Sequence, residues 1–255
     1  MIKKILIEEK DLNTLSSRIP SIQKPSFKYD YKNVVVNKPW GYEYLMFENE
    51  QVAVWVLFMK KGSKTSMHCH PQKNTSLLVL DGRAKTSSLN DEFELSFLDS
   101  MIISKGVFHS TSTECEDGAV IMEIETPPDK TDLVRLKDEY GRENKGYEGE
   151  NNISRDLEQY EHHSFHDDIE NYRKITEKAL KNSKVLLHSN ENWDKLYSEI
   201  KDKKNFIVSF LDTFILDQND NMVLEIGEVC DGEWLVKEFE KLKASKEIFN
   251  LLIIN

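Results

Sequence analysis

The sequence predicts a mainly β fold in which an all-β sandwich or barrel is followed by a small α/β region. Between residues 42 and 125, short apolar or alternating runs are separated by turn residues, which is typical of the strands of a sandwich or barrel. From about residue 127 to residue 166 the chain is highly charged and contains several glycines. Beyond residue 167, helical and strand patterns are mixed. The three patterns divide the chain into a β body, a connection and an α/β appendage.

Length and composition fit one large domain with a smaller appendage. The chain has 255 residues, of which 39% are hydrophobic and 31% are charged, as in ordinary globular proteins. No apolar run approaches the roughly 18 residues of a membrane span, and a net charge of -11 would repel nucleic acid. Three distant cysteines form no disulfide framework, and the first apolar run is too short for a signal peptide. We expect a cytoplasmic protein without a membrane or nucleic-acid partner.

The first 142 residues are predicted to form an arm and a barrel. Residues 1–37 carry scattered charges, prolines and aromatic residues, which indicates an N-terminal extension packed on a larger body. Residues 38–142 are assigned to the barrel. Its predicted strands are Tyr42–Phe47, Val52–Met59, Thr75–Leu80, Phe93–Phe97, Met101–Ile103 and Ala119–Ile124.

The remaining residues are predicted to form a linker and a second folding unit. Residues 143–166 are assigned to a charged linker that buries little, and residues 167–255 to a small α/β domain that folds separately. Helices are predicted over Asp167–Asn182, Asn192–Lys203 and Glu233–Lys243. Strands are predicted over Val185–His188 and Phe206–Phe210, with a hairpin around residues 218–221 and a final apolar run over Ile248–Ile254.

Three histidines in the barrel region have the spacing of metal ligands. His68 and His70 are two residues apart, so on a strand both point to the same face. His109 follows the turn after another strand, and a closed barrel could bring it beside the pair. Neutral imidazoles suit zinc, iron, nickel or manganese and leave positions open for water or substrate. The alternative is a barrel that has lost its metal and hydrogen-bonds these histidines at its mouth.

The spacing resembles the two motifs of the cupin superfamily. Six positions match: Gly62, His68, His70 and Gly82 in the first motif, and Gly106 and His109 in the second. The glutamate position of the first motif holds Thr75 instead. The resemblance implies a double-stranded β-helix, or jelly-roll, barrel. Without that glutamate, a bound cation would keep a larger net positive charge and more open positions, and a role as Lewis acid remains available.

The segments that flank the barrel resemble type II mannose-6-phosphate isomerases, the cupins often fused to GDP-mannose pyrophosphorylase. Residues 38–43, Lys-Pro-Trp-Gly-Tyr-Glu, are similar to that family's entrance, and residues 132–142 are similar to its Asp-Ile-Val-Arg-Phe-x-Asp-x-Tyr-Gly-Arg ending. Residues 70–75 depart from its His-Arg-x-Glu-His-Trp pattern. The resemblance implies aldose–ketose isomerisation, in which a metal held by the three histidines stabilises an enediolate.

Such a reaction also needs a general base and groups that bind the substrate. Glu123 and Glu125 lie on one strand face by period two, so either could be the base if that face is the barrel interior; the alternative is a solvent-facing strand. Lys73, Arg135 and Arg142 are candidates for binding the phosphates of a sugar phosphate or nucleotide sugar, with a solvated surface position as the alternative.

We therefore expect a metal-dependent isomerase or epimerase that acts on a sugar phosphate or nucleotide sugar for surface polysaccharide synthesis. Its cofactor would be a divalent zinc, manganese, nickel or iron ion, and the protein would be a homodimer. The alternatives are a non-catalytic module that binds a sugar or nucleotide sugar, and a three-histidine iron oxygenase. His162 and His166 could form a second metal site if they shared a helix face, although solvated side chains are the preferred interpretation. Cys69 is expected to pack in the core.

Overall fold

The computed structural model describes residues 1–18, 29–143, 146–166 and 175–255. Helix α1 spans Glu9–Ser16. The strands of the first part of the chain are β1 (Ile2–Ile5), β2 (Val35–Lys38), β3 (Gly41–Glu48), β4 (Ala53–Met59), β5 (Ser63–Lys64), β6 (Met67–Cys69), β7 (Asn74–Asp81), β8 (Ala84–Ser87), β9 (Glu92–Leu95), β10 (Ser100–Ile103), β11 (Ser110–Thr113), β12 (Ala119–Thr126), β13 (Val134–Lys137) and β14 (Ile153–Ser154).

These strands form the predicted jelly-roll barrel. One sheet has the order β1-β10-β7-β12-β4-β3-β2-β14, a second has the order β5-β11-β8-β9, and β6 pairs with β13. Apolar side chains from both large sheets, including Trp55 and Leu77 from the first and Ala84 and Leu95 from the second, form one interior cluster. The cupin fold expected from the histidine spacing is therefore confirmed by the architecture.

The six predicted strands of the barrel are present, and strands β8 and β11 are among the additional ones. Their sequences, Ala-Lys-Thr-Ser and Ser-Thr-Ser-Thr, carry almost no apolar residue. Thr86 is nevertheless fully buried, and its hydroxyl lies 3.1 Å from that of Thr111 on the neighbouring strand. Because paired hydroxyl groups replace apolar contacts here, the hydrophobic pattern gave no sign of these strands.

Strand β12 separates two apolar clusters. Ile121 belongs to the barrel interior, whereas Val120, Met122 and Ile124 belong to a cluster on the outer side of the sheet. Side chains alternate between the two faces of a strand. The residues that follow Ile121 at intervals of two therefore also face the interior.

The N-terminal segment packs on the barrel. β1 pairs in parallel with β10, from Ile2 opposite Ser100 to Ile5 opposite Ile103. Asp11 of α1 is buried, and its Oδ1 accepts a hydrogen bond of 3.0 Å from the backbone N–H of Phe108. The segment is thus fixed to the loop that precedes β11.

Residues 146–166 follow the barrel surface. A 3₁₀ turn over Glu150–Asn152 leads into β14, which pairs with β2. Phe165 is fully buried, and Tyr147 packs against the interior cluster. Most residues of this charged stretch are exposed or half-buried, but single aromatic residues anchor it to the barrel. Isolated anchors leave no periodic pattern in a sequence.

The second part of the chain combines two sheets with two helices. Its elements are β15 (Ile175–Leu180), β16 (Ser183–Glu191), α2 (Trp193–Ile200), β17 (Ile207–Phe210), β18 (Ile215–Asp217), β19 (Met222–Leu224), β20 (Val229–Asp231), α3 (Gly232–Glu238), β21 (Leu242–Ala244) and β22 (Phe249–Ile254). The larger sheet has the order β15-β16-β22-β17-β20, and the smaller has the order β19-β18-β21. In the parts of the chain that are described, no helix has the length and apolar composition to cross a bilayer.

The predicted helix over residues 167–182 is wrong where it can be compared. Residues 167–174 lie outside the described residues, and residues 175–180 form β15. Glu-Lys-Ala-Leu at residues 177–180 favours a helix by intrinsic propensity. The turn at Lys181, whose φ is +48°, instead folds β15 back along β16 over its whole length. Hairpin pairing thus overrides local propensity.

The other predicted elements of this region are present with different ends. Helix α2 and strands β16, β17 and β22 lie within or close to their predicted ranges. The predicted helix over residues 233–243 ends slightly earlier: α3 spans Gly232–Glu238, a 3₁₀ turn follows over Phe239–Lys241, and Leu242–Ala244 pairs with β18. Tertiary pairing with β18 decides the state of these last residues.

The larger sheet of the second part packs on the outer side of the barrel. Val185, Leu187 and Leu252 share one apolar cluster with Met122 and Ile124 of β12. Residues on the other face of the same strands pack against helices α2 and α3. Barrel sheet, second sheet and helices therefore form successive layers. The division of the chain into separately folding units at residues 143–166 stays a prediction.

Candidate functional site

The structure brings the three histidines together, as their spacing predicts. His68 lies on β6, His70 directly follows it, and His109 lies in the loop before β11. The backbones of His68 and His109 exchange two hydrogen bonds of 2.9 and 2.7 Å. The ring centroids lie 4.5 to 5.5 Å apart, and one ligand nitrogen from each ring lies within 4.8 Å of the others. The three residues can therefore hold one metal ion.

Hydrogen bonds fix the tautomers that metal binding requires. Each Nδ1 lies close to a backbone carbonyl oxygen: His68 to Ser66 at 2.7 Å, His70 to Asp132 at 2.6 Å and His109 to Val107 at 3.0 Å. A carbonyl oxygen only accepts, so each Nδ1 donates and each Nε2 keeps its lone pair. Burial lowers the pKa of His68 and His70 well below the ordinary value and that of His109 to about 4. All three imidazoles are neutral ligands near pH 7.

Glu123 and Glu125 lie beside the histidines on the interior face of β12. They are 7% and 1% exposed and line the same pocket as the histidines, so the alternative of a solvent-facing strand is wrong. One carboxylate oxygen of each and a ring nitrogen of His70 lie within 4.8 Å of one another. His70 thus belongs both to a group of three histidines and to a group with two carboxylates.

Glu125 is held by two buried lysines. Its Oε1 lies 2.7 Å from Nζ of Lys73 and 3.2 Å from Nζ of Lys130. Oε2 of the same carboxylate is buried and has no hydrogen-bond partner in the part of the chain that the structure describes. Burial alone would raise the pKa of Glu125, but the ammonium groups of Lys130 and Lys73 outweigh it and hold the pKa below its ordinary value. Lys73, predicted as a phosphate ligand, therefore binds this carboxylate.

Glu123 has a different electrostatic environment on the same strand. Burial raises its pKa to about 7, against the opposing effect of Lys130. The neighbouring carboxylates of Glu125 and Glu43 raise it further. The pKa of Glu123 is thus raised and that of Glu125 is lowered, although the two residues are only two positions apart. Such a pair of carboxyl groups with different pKa values is usual in an acid–base site.

A second network of buried charges forms another wall of the pocket. Its contacts are Lys38 with Glu148, Lys38 with Glu43 at 3.3 Å, Arg135 with Glu148 at 3.5 Å, Arg142 with Glu148 and with Asp138 at 2.6 Å each, and the Tyr147 hydroxyl with Glu43. Arg135 and Arg142, predicted to bind phosphate, both line the pocket. Each of these guanidinium groups is already paired with a carboxylate of the chain.

Several lining residues were absent from the prediction. Lys38 and Glu43 lie within the Lys-Pro-Trp-Gly-Tyr-Glu segment, so the similarity of that segment could have directed attention to them. Lys130, Tyr147 and Glu148 also line the pocket or bind its residues. They come from irregular charged stretches, where no spacing distinguishes a buried charge from a solvated one.

Thr75, at the glutamate position of the cupin motif, is buried next to Glu125. It is 1% exposed, and none of the described residues forms a hydrogen bond with its Oγ1. In the pairing of β7 with β12, Thr75 stands directly opposite Glu125. The carboxylate missing from one strand is therefore present at the same level on the neighbouring strand.

The weaker sequence signals have structural roles. Residues 161–165 are not helical, so His162 and His166 do not share a helix face. The ring of His162 lies 4.6 Å from that of Tyr44, and Nε2 of His166 donates to the carbonyl oxygen of Leu45 at 3.0 Å. Cys69 is buried beside Phe108, which confirms its assignment to the core.

Comparison with known proteins gives matches among solved structures. No protein-family model matches the sequence, and no curated protein is significantly similar to it. A sugar phosphate isomerase of the cupin superfamily from Silicibacter pomeroyi is 15% identical, with 37% of this chain and 64% of that chain covered and a TM-score of 0.35. A putative sugar phosphate isomerase from Acidithiobacillus ferrooxidans is 20% identical, with 31% and 52% covered and a TM-score of 0.29.

A third match is an RmlC-like cupin from Shewanella frigidimarina. It is 16% identical, with 41% of this chain and 93% of that chain covered and a TM-score of 0.35. The chain thus spans about two thirds and about half of the length of the two isomerase structures. The cupin fold assigned here is based on the strand topology of the chain itself.

Proposed function

We propose that this chain is a metal-dependent enzyme that isomerises or epimerises a sugar by proton transfer. The observation that carries the proposal is the position of Glu123 beside the three histidines. Its carboxylate lies within 4.8 Å of a ring nitrogen of His70, and among the described residues it forms no ion pair, in contrast to Glu125. A buried carboxylate without an ion pair is suited to accept a proton from a substrate carbon.

The residues at the site would have three different roles: metal binding, proton transfer and stabilisation of negative charge. His68, His70 and His109 would hold a divalent metal ion, which supplies polarisation of the substrate oxygens as a Lewis acid. Glu123 would take the proton from the carbon next to a carbonyl group. In isomerisation a proton is returned to the neighbouring carbon, and in epimerisation the first carbon regains a proton on its opposite face. Lys130 lies 3.2 Å from Glu125 and 3.6 Å from Glu43, so its positive charge stays close to where negative charge develops.

The pocket is narrow. Its cavity volume is about 70 Å³, below the roughly 300 Å³ at which small-molecule sites begin, so a sugar would have to extend through the mouth of the pocket or displace side chains that line it. The substrate classes that we propose are a sugar phosphate or a nucleotide sugar, as the similarity to type II mannose-6-phosphate isomerases implies, in surface polysaccharide synthesis. Because Arg135 and Arg142 both contact Glu148, a phosphate would bind them in competition with that carboxylate. A homodimer and a cytoplasmic location stay predictions.

Solvent proton exchange tests the proposal. The protein loaded with zinc, manganese, nickel or iron is incubated in D₂O with sugar phosphates, nucleotide sugars and the corresponding free sugars, and deuterium uptake is followed by NMR. Wild type should introduce deuterium at the carbon next to the carbonyl. Glu123→Gln should lose about 10² to 10⁴-fold of the rate, as expected for loss of a general base, while Glu94→Gln on the exposed part of β9 should keep it.

The other outcomes distinguish the alternatives predicted from the sequence. Ligand binding without deuterium uptake in any metal-loaded form would contradict the proposal and favour the non-catalytic binding module. Oxygen consumption by the iron-loaded form alone would favour the three-histidine oxygenase. Equal exchange rates in Glu123→Gln and wild type would show that another group is the base.

A further inference from the structure

Two atoms at the site that could ligate a metal are buried without a hydrogen-bond partner among the described residues. They are Nε2 of His70 and Oε2 of Glu125, in residues that are 6% and 1% exposed. Buried polar atoms are nearly always hydrogen-bonded, so each exception needs an explanation. Both atoms are of the kinds that ligate a divalent cation, and their residues belong to one group of neighbouring ligand atoms. A cation bound between them would satisfy both.

The position of Glu125 also explains how the cupin motif can lack its glutamate. Thr75 stands at the motif position, and Glu125 is its direct partner on the antiparallel neighbour strand. Directly opposite residues of an antiparallel pair have Cβ atoms roughly 5 Å apart and project to the same face. A glutamate side chain at position 125 can therefore reach the space that a glutamate at position 75 would reach.

The contacts of Glu125 favour binding through one oxygen. Its Oε1 accepts from Lys73 at 2.7 Å and is 3.2 Å from Lys130, so this oxygen is saturated, while Oε2 is not. Ligating carboxylates are commonly held in place by hydrogen bonds to their second oxygen. The two lysines would do this here.

We propose that Glu125, and not a residue at the motif position, is the anionic fourth ligand of the metal ion held by His68, His70 and His109. The proposal rests on the metal site of the proposed function. Zn–N and Zn–O distances of about 2.1 Å allow ligand atoms on opposite sides of an ion to be about 4.2 Å apart. Ligand atoms of His70 and Glu125 lie within 4.8 Å of each other, so they would have to approach by well under about 2 Å to share one ion, a distance estimated from these bond lengths.

Metal affinity provides a test that does not depend on catalysis. The apo protein is titrated with Zn²⁺ against a competing chelator and with Co²⁺, whose visible absorption reports the ligand set. Glu125→Gln keeps the shape and removes the charge, and it should weaken Zn²⁺ binding by at least about 10-fold and shift the Co²⁺ spectrum. Glu94→Gln, on the exposed part of β9, removes a carboxylate far from the histidines and should leave both measurements close to wild type.

Moving the carboxylate from β12 to the opposite position on β7 makes the test specific. Adding Thr75→Glu to Glu125→Gln should recover most of the lost affinity, because the charge returns at the same level of the barrel. Glu125→Asp retains the charge but shortens the side chain, and it should fall between wild type and Glu125→Gln. If Glu125→Gln does not fold, as judged by circular dichroism, the comparison of Glu125→Asp with wild type decides.

Failure of this proposal differs from failure of the proposed function. If wild type binds no divalent metal, and His68→Ala is indistinguishable from it, the metal-dependent function itself is overturned. If wild type binds metal and His68→Ala does not, while Glu125→Gln and Glu125→Asp retain full affinity and an unchanged Co²⁺ spectrum, the site stands and the ligand assignment to Glu125 is overturned.

Discussion

Glu148 is the carboxylate on which the buried cations of one pocket wall depend. It contacts Lys38, Arg135 and Arg142, and its side chain is 4% exposed. Removing one member of a buried ion pair leaves uncompensated charge in a medium of low dielectric constant. Each of the three cations would lose a contact, although Lys38 keeps Glu43 at 3.3 Å and Arg142 keeps Asp138 at 2.6 Å.

We predict that Glu148→Gln lowers the free energy of unfolding by about 3 to 5 kcal/mol. Urea denaturation followed by circular dichroism measures this. The control is Glu150→Gln, since Glu150 is 72% exposed and lies 3.8 Å from Arg155, and exposed pairs contribute less than about 1 kcal/mol. Equal stability of the two variants would show that the buried network is not stabilising.

Glu148 should also make the free energy of unfolding depend on pH in the acidic range. Burial alone would raise the pKa of Glu148, but Lys38, Arg135 and Arg142 outweigh it and hold the pKa at about 2, against an ordinary value of 4.5. A depressed pKa contributes stability that is present above the unfolded value and is lost as the pH falls through the folded value. The difference in unfolding free energy between wild type and Glu148→Gln should thus shrink from about pH 4.5 to about pH 2. A difference that stays constant over this range would contradict it.

Single side chains near the site show what a sequence can and cannot reveal. The histidine triad was predictable, because two imidazoles two residues apart and a third after a glycine turn define a ligand spacing. The inward direction of Glu123 and Glu125 follows from the period of two, once a neighbour such as Ile121 is known to be buried. Lys130 and Glu148 were not predictable, since their burial depends on contacts with distant strands and not on their own neighbours in sequence.

Helix α1 holds in place the loop that carries His109. Asp11 accepts the backbone hydrogen bond of Phe108, 97 residues away. An N–H group buried without its acceptor costs about 1 to 3 kcal/mol. The helix thus contributes to the site without lining it.

We predict that Asp11→Ala destabilises the protein by about 1 to 3 kcal/mol and accelerates amide hydrogen exchange at Phe108. Asp11→Asn, which keeps a carbonyl acceptor, should show a smaller effect. Glu9→Ala changes an exposed residue of the same helix and serves as the control. Unaltered exchange at Phe108 in Asp11→Ala would mean that the helix does not restrain this loop.

Strand β15 shows why element assignment failed in one place. Residues 177–180 have the composition of a helix, and only their alignment with β16 makes them a strand. That alignment depends on a turn in which the backbone of Lys181 is in the left-handed region. Lysine has no marked preference for this conformation, so the sequence does not reveal the turn. Helix α2 was predicted correctly, in contrast, because its apolar residues recur at helical spacing within a single segment of the sequence.

At the scale of the whole molecule, the barrel and the second sheet share one apolar cluster. If the two parts separated, Val185, Leu187 and Leu252 on one side and Met122 and Ile124 on the other would be exposed to water. Surfaces of this kind stay in contact in aqueous solution.

We predict that protein cleaved by limited proteolysis within residues 146–166 still migrates as one particle. Size-exclusion chromatography of the cleaved protein, with and without moderate urea, measures this, and uncut protein is the control. The two fragments should elute together in buffer and separate only when urea weakens apolar contacts. Two soluble, folded fragments that separate in buffer would instead support the independent domains predicted from the sequence.

Strand β12 serves two faces, and this restricts how it can vary. Its Glu123 and Glu125 face the histidines, whereas Met122 and Ile124 face the second sheet. Because side chains alternate, gaining or losing one residue within the 8 residues of Ala119–Thr126 would place carboxylates against methyl groups and methyl groups beside the histidines. The residues of both faces are therefore correctly placed only in one register of the strand. The strand can tolerate substitutions but not changes in length, which are confined to the turns at its two ends.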